Sequence, residues 1–69
     1  METKFVEPVP KNYIWTVYLR DGRKAKVIAY TYVTCDADQA VEFYDKHDAV
    51  SGAFMMTDIN GFARGKEVK

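Results

Sequence analysis

Asp36-Ala37-Asp38-Gln39-Ala40-Val41-Glu42-Phe43-Tyr44-Asp45-Lys46-His47-Asp48 is the stretch on which the fold class turns, because a helix here makes the chain α+β. Asp36 suits an N-cap, and Gln39 three residues later completes a capping-box spacing. Ala37, Ala40, Val41 and Tyr44 recur at i, i+3, i+4 and i+7, and Phe43 widens that apolar stripe. Acids in the first turn, with Lys46 and His47 in the last, complement a helix dipole. The spacing predicts an amphipathic helix.

Upstream, Tyr13–Leu19 and Ala25–Val33 are rich in β-branched and aromatic residues and flank Asp21-Gly22, which predicts a hairpin whose second strand returns from Lys24 to Thr34. A two-residue loop would put Trp15 on the face of Lys24 and Lys26. A three-residue loop with a glycine bulge pairs Leu19 with Arg23 and sorts the faces better. Tyr13, Trp15, Val17, Leu19, Ala25, Val27, Ala29 and Val33 then face inward. Ile14, Thr16, Tyr18, Arg20, Lys24, Lys26, Ile28, Tyr30 and Tyr32 face outward. Ala25 and Ala29 are small enough to admit a helix against the inner face. Downstream, Ser51-Gly52 introduces a third strand, Ala53–Ile59, closed by Asn60-Gly61 and expected beside the first strand; Phe62–Arg64 offers a short fourth. The expected fold is a ββαβ domain, a mainly antiparallel sheet of three strands, with room for a fourth, and one helix on one face. Residues 1–11, with Pro8 and Pro10, read as a flexible arm, 12–64 as one domain and 65–69 as a charged tail.

Sixty-nine residues lie near the lower limit for one unstapled hydrophobic core. A single cysteine, Cys35, excludes an intramolecular disulfide, and with one histidine it cannot complete a four-ligand zinc site. No cofactor or metal is expected. Without an apolar leader or a run of about 18 apolar residues, a reduced cytoplasmic setting and no membrane contact are expected. Ten bases balance ten acids, which argues against general nucleic-acid binding. The charges are nonetheless segregated: Arg20, Arg23, Lys24 and Lys26 cluster at the hairpin, while Asp36, Asp38, Glu42, Asp45 and Asp48 occupy the predicted helix.

The outer row Tyr18, Arg20, Lys24, Lys26, Ile28, Tyr30 and Tyr32 is the leading binding surface. Such aromatics and cations serve as protein-interface anchors, as stacking platforms for single-stranded nucleic acid, or simply as cross-strand pairs on a solvated sheet. Asp38, Glu42 and Asp45 would form a carboxylate stripe on the helix, either a second, electrostatic docking surface or a solvated face. Cys35 and His47, about three helical turns apart, are too distant to act as nucleophile and base, so no enzyme is expected. A structural homodimer through the outer face is a further alternative.

The segment Trp15-Thr16-Val17, the hairpin, Thr34-Cys35-Asp36 leading into Ala40-Val41-Glu42, then Gly52 and Phe54–Ile59, resembles the small phage inhibitors of bacterial RNA polymerase over roughly Tyr13 to Asn60. In size and order of elements the chain is also similar to the phage inhibitors of uracil-DNA glycosylase. These resemblances imply a non-enzymatic protein that occludes a larger host enzyme, in particular one that processes nucleic acid, inside the host cytoplasm.

Overall fold

The computed structural model describes residues 9–69; the greater part of the expected N-terminal arm lies outside them. The described residues form six strands in order: β1 (Tyr13–Leu19), β2 (Lys24–Ala29), β3 (Thr31–Cys35), β4 (Ala40–Tyr44), β5 (Val50–Met55) and β6 (Ile59–Glu67), with a 3-10 turn, Met56–Asp58, before the last. They form two three-stranded antiparallel sheets, β2-β1-β6 and β3-β4-β5. Among the described residues no helix is long and apolar enough to cross a membrane.

The β1–β2 hairpin adopts the expected register. Trp15 pairs with Val27 and Val17 with Ala25, and the Leu19 N–H donates to the Arg23 carbonyl at 2.9 Å across a three-residue loop. Gly22 there has φ +91°, a left-handed conformation that glycine adopts without the Cβ penalty. Trp15, Val17, Val27 and Ala29 are accordingly buried.

The predicted helix is absent, and the α+β, ββαβ fold is replaced by an all-β one. Asp36–Gln39 is a hairpin turn, β4 follows, and Asp45–Ala49 forms a second turn. Two periodicities overlap in this stretch. Val41 and Phe43, two apart, are both fully buried, whereas the helical stripe would set them on diverging sides. Val, Phe and Tyr are weak helix formers and strong strand formers. Asp36, expected as the N-cap, instead opens a turn, its carbonyl accepting from the Gln39 N–H at 3.3 Å. Asp45 makes the next one, accepting the His47 and Ala49 N–H groups at 2.8 and 3.0 Å, an Asx-type arrangement. The Thr34-Cys35-Asp36 segment, part of the resemblance to phage inhibitors, leads into a turn rather than a helix.

A second correction concerns Val33. The returning strand bends at Tyr30 and passes from one sheet to the other, as strands do at the corners of packed sheets. The bend inverts the alternation. Tyr32 and Thr34 stand opposite the buried Phe43 and Val41, while Thr31, Val33 and Cys35 share the outward side with Tyr44, Glu42 and Ala40. Val33, expected inside, is 55% exposed.

The third expected strand is also re-placed. Ser51-Gly52 lies within β5, which pairs with β4, and the strand beside β1 is β6. β6 runs on to Glu67, through residues that read as a charged tail. Gly65 is required there: a Cβ would meet the Ile14 carbonyl oxygen at 2.5 Å. Gly52 brings β5 against Val27 of the facing sheet, its Cβ position 3.3 Å from a Val27 methyl. The core is Trp15, Val17, Val27, Ala29, Val41, Phe43 and Ile59, each large side chain among them contributing about 1.5–3 kcal/mol by burial.

Candidate functional site

Two sheet faces point to solvent, and they differ in chemistry. On β2-β1-β6, Ile14 stands opposite Ile28, Thr16 opposite Lys26 and Tyr18 opposite Lys24. Lys26 Nζ donates to Thr16 Oγ1 at 2.6 Å, and Lys24 Nζ lies 5.7 Å from the Tyr18 ring centroid. These cations already have partners on their own sheet. The Tyr18 ring offers a cation–π contact internally, which leaves less of its face for stacking a base.

The structure therefore divides the binding row expected from sequence. Tyr18, Lys24, Lys26 and Ile28 share this face, but Tyr30, Tyr32 and Arg20 do not join them. Tyr30 occupies the corner, its N–H donating to the Tyr44 carbonyl at 2.7 Å. Tyr32 belongs to the other sheet and packs edge-on against Phe62 and Trp15, with ring centroids 4.7 and 5.7 Å apart. It caps an aromatic cluster completed by Phe43, and Trp15 is further held by its Nε1–H donating to the Ala29 carbonyl at 2.9 Å. Arg20 lies in the hairpin loop, on an open cleft of about 410 Å³ lined also by Leu19, Asp21, Arg23, Phe54 and Asp58. Arg23 there is tied to Asp21 at 2.6 Å, and its backbone N–H, then its side chain, lower the Asp21 carboxyl below its ordinary value.

The carboxylate stripe does not exist, because there is no helix to carry it. Asp38 sits in the β3–β4 turn, where its Oδ2 accepts from Cys35 Sγ at 3.5 Å. Glu42 is on β4 and accepts from the Tyr44 hydroxyl at 2.9 Å, a bond that raises the Tyr44 pKa. Asp45 closes the next turn, and the Ala49 N–H, joined by that of His47, lowers its pKa. Cys35 and His47 lie beyond opposite ends of β4, separated by roughly 17 Å of strand.

The outer face of β3-β4-β5 is the surface that sequence reasoning missed. Its cross-strand rows are Val33-Glu42-Ala53 and Cys35-Ala40-Met55, with Thr31 and Tyr44 leading to Val50. Val33 and Val50 are each 55% exposed and Met55 48%. Glu42 is the one charge in these rows, and the Tyr44 hydroxyl holds it. A signal for this face was present: the alternation Val33, Cys35 and then Ala40, Glu42, Tyr44 emerges once Asp36–Gln39 is read as a turn. Compared with known proteins, the chain matches no family model, no curated protein and no solved structure.

Proposed function

We propose that this protein is a small, non-enzymatic binding module that works by covering a surface of a larger protein, and that the contact is made by the outer face of β3-β4-β5. The observation that carries this reading is that one sheet face exposes Val33, Val50 and Met55, each about half-exposed, together with Ala40 and Ala53, and carries a single, internally bonded carboxylate. Apolar surface exposed on a small domain marks interaction sites, interfaces are poor in charge, and the one charge here, Glu42 on the central strand, is already held by the Tyr44 hydroxyl. Methionine adds an adaptable side chain to such a surface. Stoichiometric occlusion of a host enzyme, as the resemblance to phage inhibitors implies, is one use of this face.

The test is quantitative capture by the tagged protein from nuclease-treated bacterial lysate, repeated at about 1 M salt, where the Debye length is about 3 Å. A partner recovered in near-equal amount should survive the salt and be lost with Val50→Asp or Met55→Asp, variants at exposed positions that leave the core untouched. Binding that tolerates both substitutions but disappears with Tyr18→Ala or Lys26→Ala, or that collapses in salt, would overturn the assignment and restore the Tyr18/Lys24/Lys26 face, for protein or for single-stranded nucleic acid.

A further inference from the structure

The free edge of β3 has a property that the face alone does not explain. Edge strands are normally blunted by lysine, proline, a bulge or a covering element. β2 carries Lys24 and Lys26; β6 carries register shifts together with Arg64, Lys66 and Glu67; and the pairing of β5 is broken by a register shift at Phe43/Tyr44. Among the described residues β3, Thr31-Tyr32-Val33-Thr34-Cys35, has none of these devices. Its register with β4 is regular, it contains no charge and no proline, and Thr31 to Thr34 are all exposed.

Its hydrogen-bonding polarity can be worked out. The Met56 N–H donates to the Gln39 carbonyl at 2.7 Å, so Gln39 and Met56 form a hydrogen-bonded pair in continuation of the β4–β5 ladder. Antiparallel ladders alternate such pairs. Val41 and Phe43 therefore turn their peptide groups towards β5, and Ala40, Glu42 and Tyr44 turn theirs towards β3. The partners of these three, Cys35, Val33 and Thr31, face back into β4. Tyr32 and Thr34 are left presenting N–H and C=O groups to the open edge.

We infer that this edge pairs with the β3 of a second copy, antiparallel about a twofold axis at Val33. In that register Val33 stands opposite Val33 of the partner subunit, as a close, non-hydrogen-bonded pair, and Tyr32 of each copy exchanges both backbone bonds with Thr34 of the other. Every free group on the strand is matched. The contact is isologous and consumes both edges, so it closes as a dimer and does not propagate. All five residues meet uncharged counterparts, β-branched residues predominate, and the zero formal net charge of the chain imposes no long-range repulsion between copies. Two three-stranded sheets become one of six, with the two Val33 side chains joining the apolar faces across the axis. This inference is independent of what those faces bind.

The experiment is sedimentation equilibrium of the full chain over a concentration series, with far-UV circular dichroism and Trp15 emission as checks of folding. Wild type should move from the 7.9 kDa chain mass to twice that value. Val33→Lys and Val33→Glu, each with native-like spectra, should stay monomeric alone and recover the dimer when mixed in equal amounts, since opposite charges then meet at the axis. Met55→Lys, on the face but off the edge, should remain dimeric. A wild type that stays monomeric throughout the series, a dimer that persists in both Val33 variants, or a dimer lost with Met55→Lys but kept with Val33→Lys would overturn the edge pairing. A monomeric wild type that still captures its partner through Val50 and Met55 would refute this inference and leave the proposed function standing.

Discussion

Replacing Gln39 by glycine separates the hairpin from the helix by the sign of its effect. Gln39 ends the β3–β4 turn with φ +48°, where an ordinary L-residue carries about 1–2 kcal/mol of steric cost. Its backbone does the necessary work: the N–H donates to the Asp36 carbonyl at 3.3 Å and the carbonyl accepts from Met56 at 2.7 Å. Glycine retains both bonds and removes the Cβ. Against the relief stands the greater freedom of glycine in the unfolded chain, about 0.4–1 kcal/mol. The net expectation is a stabilisation on the order of 0.5–1 kcal/mol. For a domain of this size 1 kcal/mol corresponds to about 4–8 °C in Tm, so a rise of roughly 2–8 °C is expected. In a helix the same glycine would cost about 0.8–1 kcal/mol relative to alanine and lower Tm. Thermal and urea unfolding followed by Trp15 emission would read the difference, with Gln39→Ala as a control that keeps the Cβ and should gain nothing. A fall in Tm for Gln39→Gly would refute the turn assignment and the argument built on it.

Glycine substitutions in β6 should differ sharply: Gly65→Ala drives a Cβ into the Ile14 carbonyl, 2.5 Å away, and should cost roughly 1–3 kcal/mol in urea unfolding, whereas Gly61→Ala meets nothing within 4 Å and should be neutral or slightly stabilising. Equal losses at both positions would contradict the β1–β6 packing. Asp45 should make the β4–β5 turn sensitive to acid. Its folded pKa is lowered from 3.8, chiefly by the Ala49 N–H, so its contribution is fully present above that unfolded value and is lost as pH falls through the lower folded one. Asp45→Asn keeps acceptor geometry but cannot ionise; wild type should unfold at a higher urea concentration than this variant at pH 7, with the gap closing as pH falls below 3.8. A gap that stays constant across that range would remove Asp45 from the acid response.

What was legible in the sequence followed from local chemistry that tertiary structure did not contest. The Asp21-Gly22 turn, its three-residue loop and the inward set Trp15, Val17, Val27 and Ala29 could be read because the wrong register would have buried Lys24 and Lys26. The Asp36–Asp48 stretch was misread because two periods fit it. Ala37, Ala40, Val41 and Tyr44 satisfy a helical repeat, Val41 and Phe43 a strand repeat, and the tie is broken by partners far away: Tyr32 beside Phe43, Phe54 beside Val41. From sequence, Tyr32 is expected on the outer face of the first hairpin and Phe54 in a strand beside β1, so neither is available to break the tie. The bend at Tyr30 was the hidden variable, since no glycine or proline marks it and a one-residue inversion sends Tyr32 inward and Val33 outward.

That inversion links the misread fold to the misplaced site. With an unbroken strand, Tyr32 joins Tyr18 and Lys26 on a plausible binding face and Val33 disappears into the core. With the bend, Tyr32 becomes a lid on Trp15 and Phe62, and Val33 becomes the centre of an uncharged edge bordering an apolar face. The core would lose little if Val33 were polar, because it covers neither Phe43 nor Val41. Val33 stands out from the sheet face while, among the described residues, the peptide groups of Tyr32 and Thr34 point along the sheet plane to the open edge, and it is this combination, rather than one exposed valine, that the proposed pairing of two copies uses.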